Sequence, residues 1–298
     1  VAKEFFDKTI KSKNLESRSD HIYINNNIRS NYIFNSKING IEESDLIVLI
    51  GTNPRYEATI LNARIRKSFL KNKTEIYSLG DVGDLTYPYK VLSNSTKIIK
   101  EICENNHAVS NKIINAKKPM IIIGQSALKL KSGKYIFENI KNFLVSKKKI
   151  NDEWNSLNII SNHSSTVGAY DLEIISSKNG ENITLDKIKK NYFDLIFLFG
   201  QDNLNFKKKN EFIIYIGSHG DKGAESADIV LPGSAYTEQD GHYTNLEGKI
   251  QKSYAATYPP GDAIEDWSII NNLSQLLKRK KLYINKDDLV DSMKNFLK

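Results

Sequence analysis

Short runs of apolar residues recur along the chain, and most of them end at a glycine or a Pro-Gly pair. Continuous apolar runs, as opposed to alternating ones, are typical of strands buried on both faces, as in parallel sheets. Helix-period segments lie between the runs, which indicates βαβ units. The predicted strands are residues 46–50, 75–79, 120–123, 157–160, 194–199, 212–216 and 228–231.

The clearest unit is the first strand with the turn and helix that follow it. Asn53 is a residue type that caps helices, and Pro54 fits the first helical position. The apolar positions beyond them are spaced by three and four, which predicts a stripe that faces the core. That stripe consists of Ala58, Leu61, Ile65 and Phe69.

Residues 45–53 are echoed by residues 194–203: in each stretch an aspartate begins an apolar run that leads to a glycine and then an asparagine. This echo predicts two similar halves, 1–150 and 151–298, with a boundary near the polar stretch 147–152. The predicted fold class is α/β, with two doubly wound, mostly parallel subdomains.

Composition and charge narrow the choice of partners. The 298 residues are 40% hydrophobic and 10% aromatic, which is ordinary for a protein with a core. A net charge of +8 would suit an anionic partner, but the lysines are spread along the chain and arginine is rare. Nucleic-acid binding is favoured by Arg and aromatic residues on one face, so we expect no nucleic-acid partner.

The single cysteine, Cys103, excludes an intrachain disulfide. An iron–sulfur cluster needs about four thiolate or imidazole ligands, so we expect this chain to hold none. Cys103 ends the amphipathic stretch 98–103 and is predicted to be a packed core thiol. No apolar run approaches the roughly 20 residues that span a bilayer, so we expect no direct membrane insertion.

A glycine after a buried strand lets the backbone turn tightly towards a phosphate at a helix N-terminus. Gly51, Asn53 and Arg55 have this placement, and the Arg55 guanidinium is suited to pair with an anion. However, no strand is followed by G-x-G-x-x-G, and G-x-x-x-x-G-K-[ST] does not occur. A nucleotide-binding module built on this turn is therefore an alternative hypothesis.

The five histidines are scattered, at positions 21, 107, 163, 219 and 242. None lies in H-E-x-x-H or at metal-ligand spacing from Cys103, so no metal site is predicted. Ser164 and Ser165 follow His163, but no G-x-S-x-G surrounds them, which disfavours a hydrolase. No catalytic residue is predicted.

The segment 227–251 is the richest in unusual residues. Its strand runs into Pro232 and Gly233, which predicts a turn, and a long ordered loop is expected to follow. Glu238, Asn245 and Glu247 are candidates either to satisfy backbone groups within this loop or to contact a ligand, and the first role is favoured.

Segment 227–251 resembles the signature of molybdopterin oxidoreductases: an Ala-Asp-hydrophobic-hydrophobic-Leu-Pro strand, then Glu-x-x-Gly, then Asn-x-Glu-Gly-basic-x-Gln. Within that family it is most similar to the large iron–sulfur subunit of respiratory complex I, NADH:ubiquinone oxidoreductase. Further similar segments follow in order from Arg29 to Trp267. They are residues 29–32, 51–58, 62–67, 84–87, 116–120, 220–221, 259–261 and 265–267.

The resemblance implies two Rossmann-like subdomains and a structural and assembly role in the peripheral arm of complex I. It further implies that iron–sulfur clusters, FMN and NADH are bound by partner subunits, because the family's cysteine-rich motifs are absent here. The expected partners are other complex I subunits, above all a separate cysteine-rich half, unless the sequence is truncated. The expected location is the matrix side of the mitochondrial inner membrane, or the cytoplasmic side in a bacterium.

The resemblance also leaves an alternative, a fragment that binds molybdopterin. Catalytic members of the family hold molybdenum between two pterins, usually with a Cys, selenocysteine or Ser ligand, and no convincing ligand position is visible in this sequence. No residue is therefore assigned to cofactor binding. The candidates for a vestigial cofactor site are Gly51, Asn53, Arg55, Glu238, Asn245 and Glu247.

Overall fold

Two parallel β-sheets organise the chain in a computed structural model that describes residues 1–178, 180–204 and 206–297. The strands are β1 Leu46–Ile50, β2 Glu75–Leu79, β3 Lys90–Ser93, β4 Pro119–Gly124, β5 Leu157–Ile160, β6 Ser177–Lys178, β7 Glu181–Asn182, β8 Leu195–Phe199, β9 Phe212–Gly217, β10 Ile229–Pro232, β11 Gly241–Thr244 and β12 Ile250–Ser253. The first sheet has the order β3-β2-β1-β4-β5 and the second the order β10-β9-β8, while β6-β7 and β11-β12 are separate antiparallel pairs.

Helices connect the strands of both sheets. They are α1 Ala2–Glu4, α2 Pro54–Glu57, α3 Thr59–Asn72, α4 Ile98–Cys103, α5 Ala108–Asn115, α6 Gln125–Leu128, α7 Gly133–Ser146, α8 Thr166–Asp171, α9 Ile183–Lys189, α10 Lys222–Ser226, α11 Asp266–Lys278 and α12 Lys286–Phe296. A π-helical stretch, Phe5–Ile10, continues α1, and 3₁₀ turns cover Arg29–Asn31 and Asn39–Glu43. Among the described residues, no helix combines the length and apolarity that a bilayer crossing demands.

The first sheet is covered on both faces. Every residue of β1 is buried, and its side chains alternate between two apolar clusters. Val48 packs on one face among residues of α4, α5 and α7, whereas Leu49 packs on the other among residues of α3. The continuous apolar runs in the sequence have this physical origin, because a parallel strand with helices on both sides has no solvent face.

The second sheet is smaller but is also covered on two faces. On one face, Phe197 and Phe199 meet Phe5 and Phe6 of the N-terminal π-helical stretch, with ring centroids 5.5–6.5 Å apart. The other face buries Ile196 and Leu198 in a cluster with residues of α9 and α10. The fold class predicted from the sequence, two parallel α/β subdomains, is confirmed.

All seven predicted strands form, with bounds that differ by one or two residues at most. Strand β3 was not predicted, because its residues are half or fully exposed at the edge of the sheet and carry no apolar run. The prediction of a long loop after Gly233 is wrong in part, since β11 and β12 form a hairpin within that segment. Two largely polar stretches pair there through backbone bonds that a search for apolar runs does not detect.

The helix predicted after Asn53 also forms, with one interruption. The Asn53 side chain accepts a hydrogen bond from the Arg55 N–H, and Pro54 occupies the first helical position. Ala58 has φ −152° and ψ 66°, so α2 ends there and α3 begins at the next residue. Leu61 and Ile65 are buried, as the predicted stripe requires.

The predicted boundary near residue 150 stays a prediction. Strand β5 follows it and pairs with β4, so the first sheet is completed by residues 157–160. Conversely, Phe5 and Phe6 precede the first sheet but belong to the apolar cluster of the second sheet.

We expect Ile65→Ala to lower the free energy of unfolding by about 2–5 kcal/mol, because Ile65 is fully buried between α3 and the first sheet. Ile60→Ala is the matched control on the same helix, since Ile60 is 68% exposed, and it should change that free energy by at most about 0.5 kcal/mol. Urea unfolding followed by circular dichroism measures both. Equal effects of the two substitutions would contradict this packing.

Candidate functional site

The strand order of the first sheet reverses between β1 and β4, and open α/β sheets bind ligands at the carboxyl ends of strands at such a point. Gly51 follows β1 with φ +58°, and a Cβ placed on it would overlap the backbone of Ala127 in α6. A Cβ on Gly124 would in turn overlap the Gly51 carbonyl oxygen. The two glycines therefore let backbone pack against backbone, and this crevice is filled by the chain itself.

Asn53 and Arg55 are likewise engaged within the turn after β1. The Asn53 side-chain amide donates to the Val82 carbonyl over 2.8 Å, in addition to capping α2. The Arg55 guanidinium donates to the carbonyl and the carboxylate of Asp84 over 2.7 and 2.6 Å. These contacts hold the 80–86 loop against α2, and they engage the Asn53 amide and Nη1 of Arg55 within the chain itself.

Glu238, Asn245 and Glu247 accept hydrogen bonds from the backbone. The Glu238 carboxylate accepts from the N–H of Ala235 over 2.9 Å, which closes the turn after β10. Asn245 Oδ1 accepts from the N–H of Lys249 over 2.8 Å. These two contacts have the structural role that the sequence favoured for this segment.

The β11–β12 hairpin is docked onto the first subdomain through its turn. Glu247 accepts from the Ile38 N–H over 3.0 Å, and Phe34 donates its N–H to the Leu246 carbonyl over 2.7 Å. Leu246 packs against the apolar cluster that contains β1 and α3 side chains. The hairpin is therefore attached by its backbone and by one carboxylate.

A single arginine joins this hairpin turn to two other parts of the chain. Arg29 donates from Nε and Nη2 to the two carboxylate oxygens of Asp171, both over 2.8 Å, and from Nη2 to the Gly248 carbonyl over 2.7 Å. The Tyr32 hydroxyl also donates to Asp171, over 2.9 Å. The hydrogen bonds to Asp171 raise the pKa of Arg29, while burial and then the same carboxylate raise the pKa of Tyr32. We call Arg29, Asp171 and Gly248 the Arg29 clamp.

A cleft of about 360 Å³ lies between the end of β5, the start of α8 and the hairpin. It is lined by polar and small apolar groups, which are Ile38, Ser161, Asn162, His163, Ser164, Ser165, Thr166, Val167, Tyr243, Thr244, Asn245, Leu246 and Gln251. Ser165 Oγ accepts a hydrogen bond from the Thr244 N–H over 3.3 Å, so this hydroxyl is part of the hairpin contact. No Ser–His pair suited to nucleophilic catalysis is formed by the residues that line the cleft.

Molybdopterin carries an anionic phosphate and dithiolene sulfurs, and the cleft does not fit it. The lining contains no Lys or Arg to pair with the phosphate. It also contains no cysteine, and Cys103 lies at the end of α4, where burial raises the pKa of its thiol to about 11. Among the described residues, no three His, Cys, Asp or Glu side chains come close enough together to hold a metal ion.

The structure brings the candidate residues together only in part. Asn245 and Glu247 share the hairpin turn, and Asn245 lines the cleft. Gly51, Asn53 and Arg55 lie at the end of β1, and Glu238 lies in the turn after β10. The role of Asp171 was missed, because its partner Arg29 is distant in sequence and no local pattern links them; Arg29 itself was noticed only through the resemblance of residues 29–32.

A half-buried carboxylate, with one oxygen shielded from solvent, lies beside the turn at Gly233. Asp266 begins α11, its Oδ1 contacts the Cα side of Gly233, and that oxygen accepts no hydrogen bond from any residue that the structure describes. Burial, with a smaller contribution from the charge on Glu265, raises the pKa of Asp266 to about 6. This carboxyl is therefore more readily ionised in the unfolded chain than in the folded one.

Comparisons with known proteins agree with the residue patterns. Residues 1–276 match the family model described as molybdopterin oxidoreductase. The chain is 42% identical over 278 residues to the NADH-ubiquinone oxidoreductase 75 kDa subunit of Reclinomonas americana, covering 93% of this chain and 40% of that protein. It is 42% identical over 259 residues to the mitochondrial 78 kDa subunit of Candida albicans, covering 86% and 34%.

A bacterial relative shows the same pattern of coverage. The chain is 37% identical over 262 residues to a subunit of the NADH-quinone oxidoreductase of Rickettsia bellii, covering 88% of this chain and 37% of that protein. The chain thus spans no more than 40% of the length of these relatives.

We expect Arg29→Ala to lower the free energy of unfolding by about 1.5–3 kcal/mol, because it leaves the buried Asp171 carboxylate and the Gly248 carbonyl without their charged donor. Arg55→Ala is the matched control, and a much smaller effect is expected because its partner Asp84 is exposed and screened by solvent. Denaturant unfolding gives both values, and hydrogen exchange should show faster exchange of the hairpin amides in Arg29→Ala alone. A larger loss in Arg55→Ala would refute this ranking.

We expect Asp266→Asn to stabilise the protein at pH 7–8 and to have little effect near pH 4. The pKa of Asp266 is about 6 when folded and 3.8 ordinarily, so the native protein loses stability as pH rises through this interval, whereas an amide does not titrate. Thermal unfolding at both pH values gives the difference in Tm. Asp262→Asn, at an exposed position in the same segment, is the control for the replacement of a carboxylate by an amide. A stabilisation by Asp266→Asn that is equal at the two pH values would disprove the assignment.

Proposed function

Because the chain belongs to the molybdopterin oxidoreductase family, we propose that it is a structural and assembly component of the peripheral arm of respiratory complex I. The observation that carries this proposal is the 42% identity to the 75 kDa subunit of NADH-ubiquinone oxidoreductase over 93% of the chain. The proposed role is to pack beside a separate cysteine-rich half and to hold neighbouring subunits in place. The iron–sulfur clusters, FMN and NADH belong to those partners.

The chemistry of the chain supports a role without redox centres of its own. Its one cysteine is packed against the first apolar cluster, with a pKa raised by burial, so it is a poor metal ligand. The carboxyl ends of β1 and β4 are closed by the packing of Gly51 against Ala127, and the neighbouring cleft lacks cationic side chains. These features favour packing and interfaces over turnover.

The proposed location follows from the relatives. They are named as mitochondrial and bacterial subunits, so we propose the matrix side of the mitochondrial inner membrane, or the cytoplasmic side in a bacterium. Attachment to the membrane would be through other subunits of the complex.

The test is affinity purification of the tagged chain from its native membranes after mild detergent extraction. We expect it to co-purify with a distinct cysteine-rich polypeptide and with NADH:ubiquinone reductase activity. Recovery of the chain alone, as a monomer without that activity, would refute the proposal. Molybdenum and pterin in stoichiometric amounts in the purified chain would instead support a molybdopterin-binding fragment.

A further inference from the structure

The second sheet repeats half of the first. The order β10-β9-β8 corresponds to β3-β2-β1, and β8 and β1 are the two strands of the sequence echo. In the first sheet, β1 has a second parallel neighbour, β4, paired from Leu46 with Pro119 to Ile50 with Ile123. In the described part of the chain, β8 has β9 on one side and no strand on the other. The position that β4 has in the first sheet thus has no counterpart in the second.

The free edge of β8 presents unpaired backbone groups. The Phe212 N–H donates to the Asp194 carbonyl, and the Gly200 N–H donates to the Ile216 carbonyl. In a parallel strand, the N–H and C=O of every second residue point to the same neighbouring strand. Since Asp194 and Gly200 bond to β9, the N–H and C=O groups of Ile196 and Leu198, which lie between them at even positions, also face β9. The N–H and C=O groups of Leu195, Phe197 and Phe199 therefore point to the free edge, where pairing with another strand is possible.

A groove of about 410 Å³ runs along this edge, and all five residues of β8 line it. One wall comes from the N-terminal π-helical stretch, with Phe6 and Ile10, and the other from Ile188 and Phe193. Phe197 and Phe199 belong to the cluster of the first wall, whereas Ile196 and Leu198 belong to that of the second. A strand added here would project alternate side chains into the two walls, both of which are apolar.

One lysine, Lys187, lies beside the β8 groove. Lys187 Nζ donates to Asn14, which lines the groove, over 3.0 Å, and lies 6.0 Å from the centre of the Phe193 ring. Glu16 and Arg18 also line the groove, but they neutralise each other in a buried ion pair of 2.8 Å. An occupant with an acidic residue at the end next to Lys187 and an apolar centre is complementary to this arrangement.

We propose that the free edge of β8 binds an extended apolar segment, with an acidic residue at the end next to Lys187, from a partner polypeptide. The segment adds beside β8 in the position that β4 has beside β1, by backbone pairing with Leu195, Phe197 and Phe199. More than half of each relative lies outside the span that this chain matches, which supports a donor strand of such origin. The identification of the donor as the cysteine-rich partner rests on the proposed function. The binding edge itself is argued only from the strand order and the groove.

The probe is a fluorescently labelled synthetic peptide, Glu-Glu-Pro-Met-Ile-Ile-Ile-Gly-Glu, which places the β4 sequence 119–124 between acidic residues. Fluorescence anisotropy with the full chain measures its Kd. Leu195→Pro removes one outward N–H while leaving the pairing with β9, and Leu195→Ala is the matched control that keeps this N–H. We expect Leu195→Pro to bind about tenfold more weakly than Leu195→Ala.

A second measurement does not depend on the folding of the proline variant. In the wild-type chain, addition of the peptide should slow hydrogen exchange at the amides of Phe197 and Phe199. The same peptide with N-methyl groups on alternate residues should neither bind nor protect these amides.

The proposal is overturned by either of two results. One is the absence of peptide binding by the wild-type chain. The other is equal binding of the peptide by Leu195→Pro and Leu195→Ala, without protection of the Phe197 and Phe199 amides. If a fatty acid also displaces the peptide in that case, the groove is a site for a small apolar ligand. If the chain binds the peptide but does not co-purify with complex I, the strand site stands and the proposed function is refuted. If the chain co-purifies with complex I but does not bind the peptide, the proposed function stands and the strand site is refuted.

Discussion

The parallel pairing of β1 on both of its sides is the constraint on which the rest of the structure depends. A strand with neighbours on both edges and helices on both faces has every backbone group paired and every side chain buried, as β1 does. Its neighbours are parallel, so each connection must cross the sheet, and α3, α4, α5 and α7 are those connections. The carboxyl end of β1 is then closed because Gly51 allows the backbones of two crossing segments to touch.

The second sheet is also built from parallel strands with a layer on each face, but it has fewer strands than the first. Three parallel strands carry it, and the layer over one face is supplied by the first ten residues together with α11. The hairpin turn contacts the first subdomain, and the Arg29 clamp joins that turn to Asp171 through a backbone carbonyl and one buried carboxylate.

The sequence predicted the elements whose signal is local. Apolar runs located the seven predicted strands, and Asn53 with Pro54 located the start of α2. Strand β3 and the β11–β12 hairpin were missed because they contain no continuous apolar run and their pairing is made by the backbone. The structural use of Glu238 and Asn245 was predictable from residue type, whereas the pairing of Arg29 with Asp171 depends on tertiary packing that no spacing encodes.

The position of the first ten residues has a consequence for the order of folding during synthesis. Phe5 and Phe6 leave the ribosome well before their partners Phe197 and Ile269. All strands of the first sheet have been synthesised once Ile160 is added. This sheet can therefore form before Phe197 and Ile269 are made, while the rings of Phe5 and Phe6 remain in solvent. Contacts of such long sequence separation form slowly. The nascent chain therefore carries an uncovered aromatic segment from the synthesis of Phe5 and Phe6 until α11 emerges.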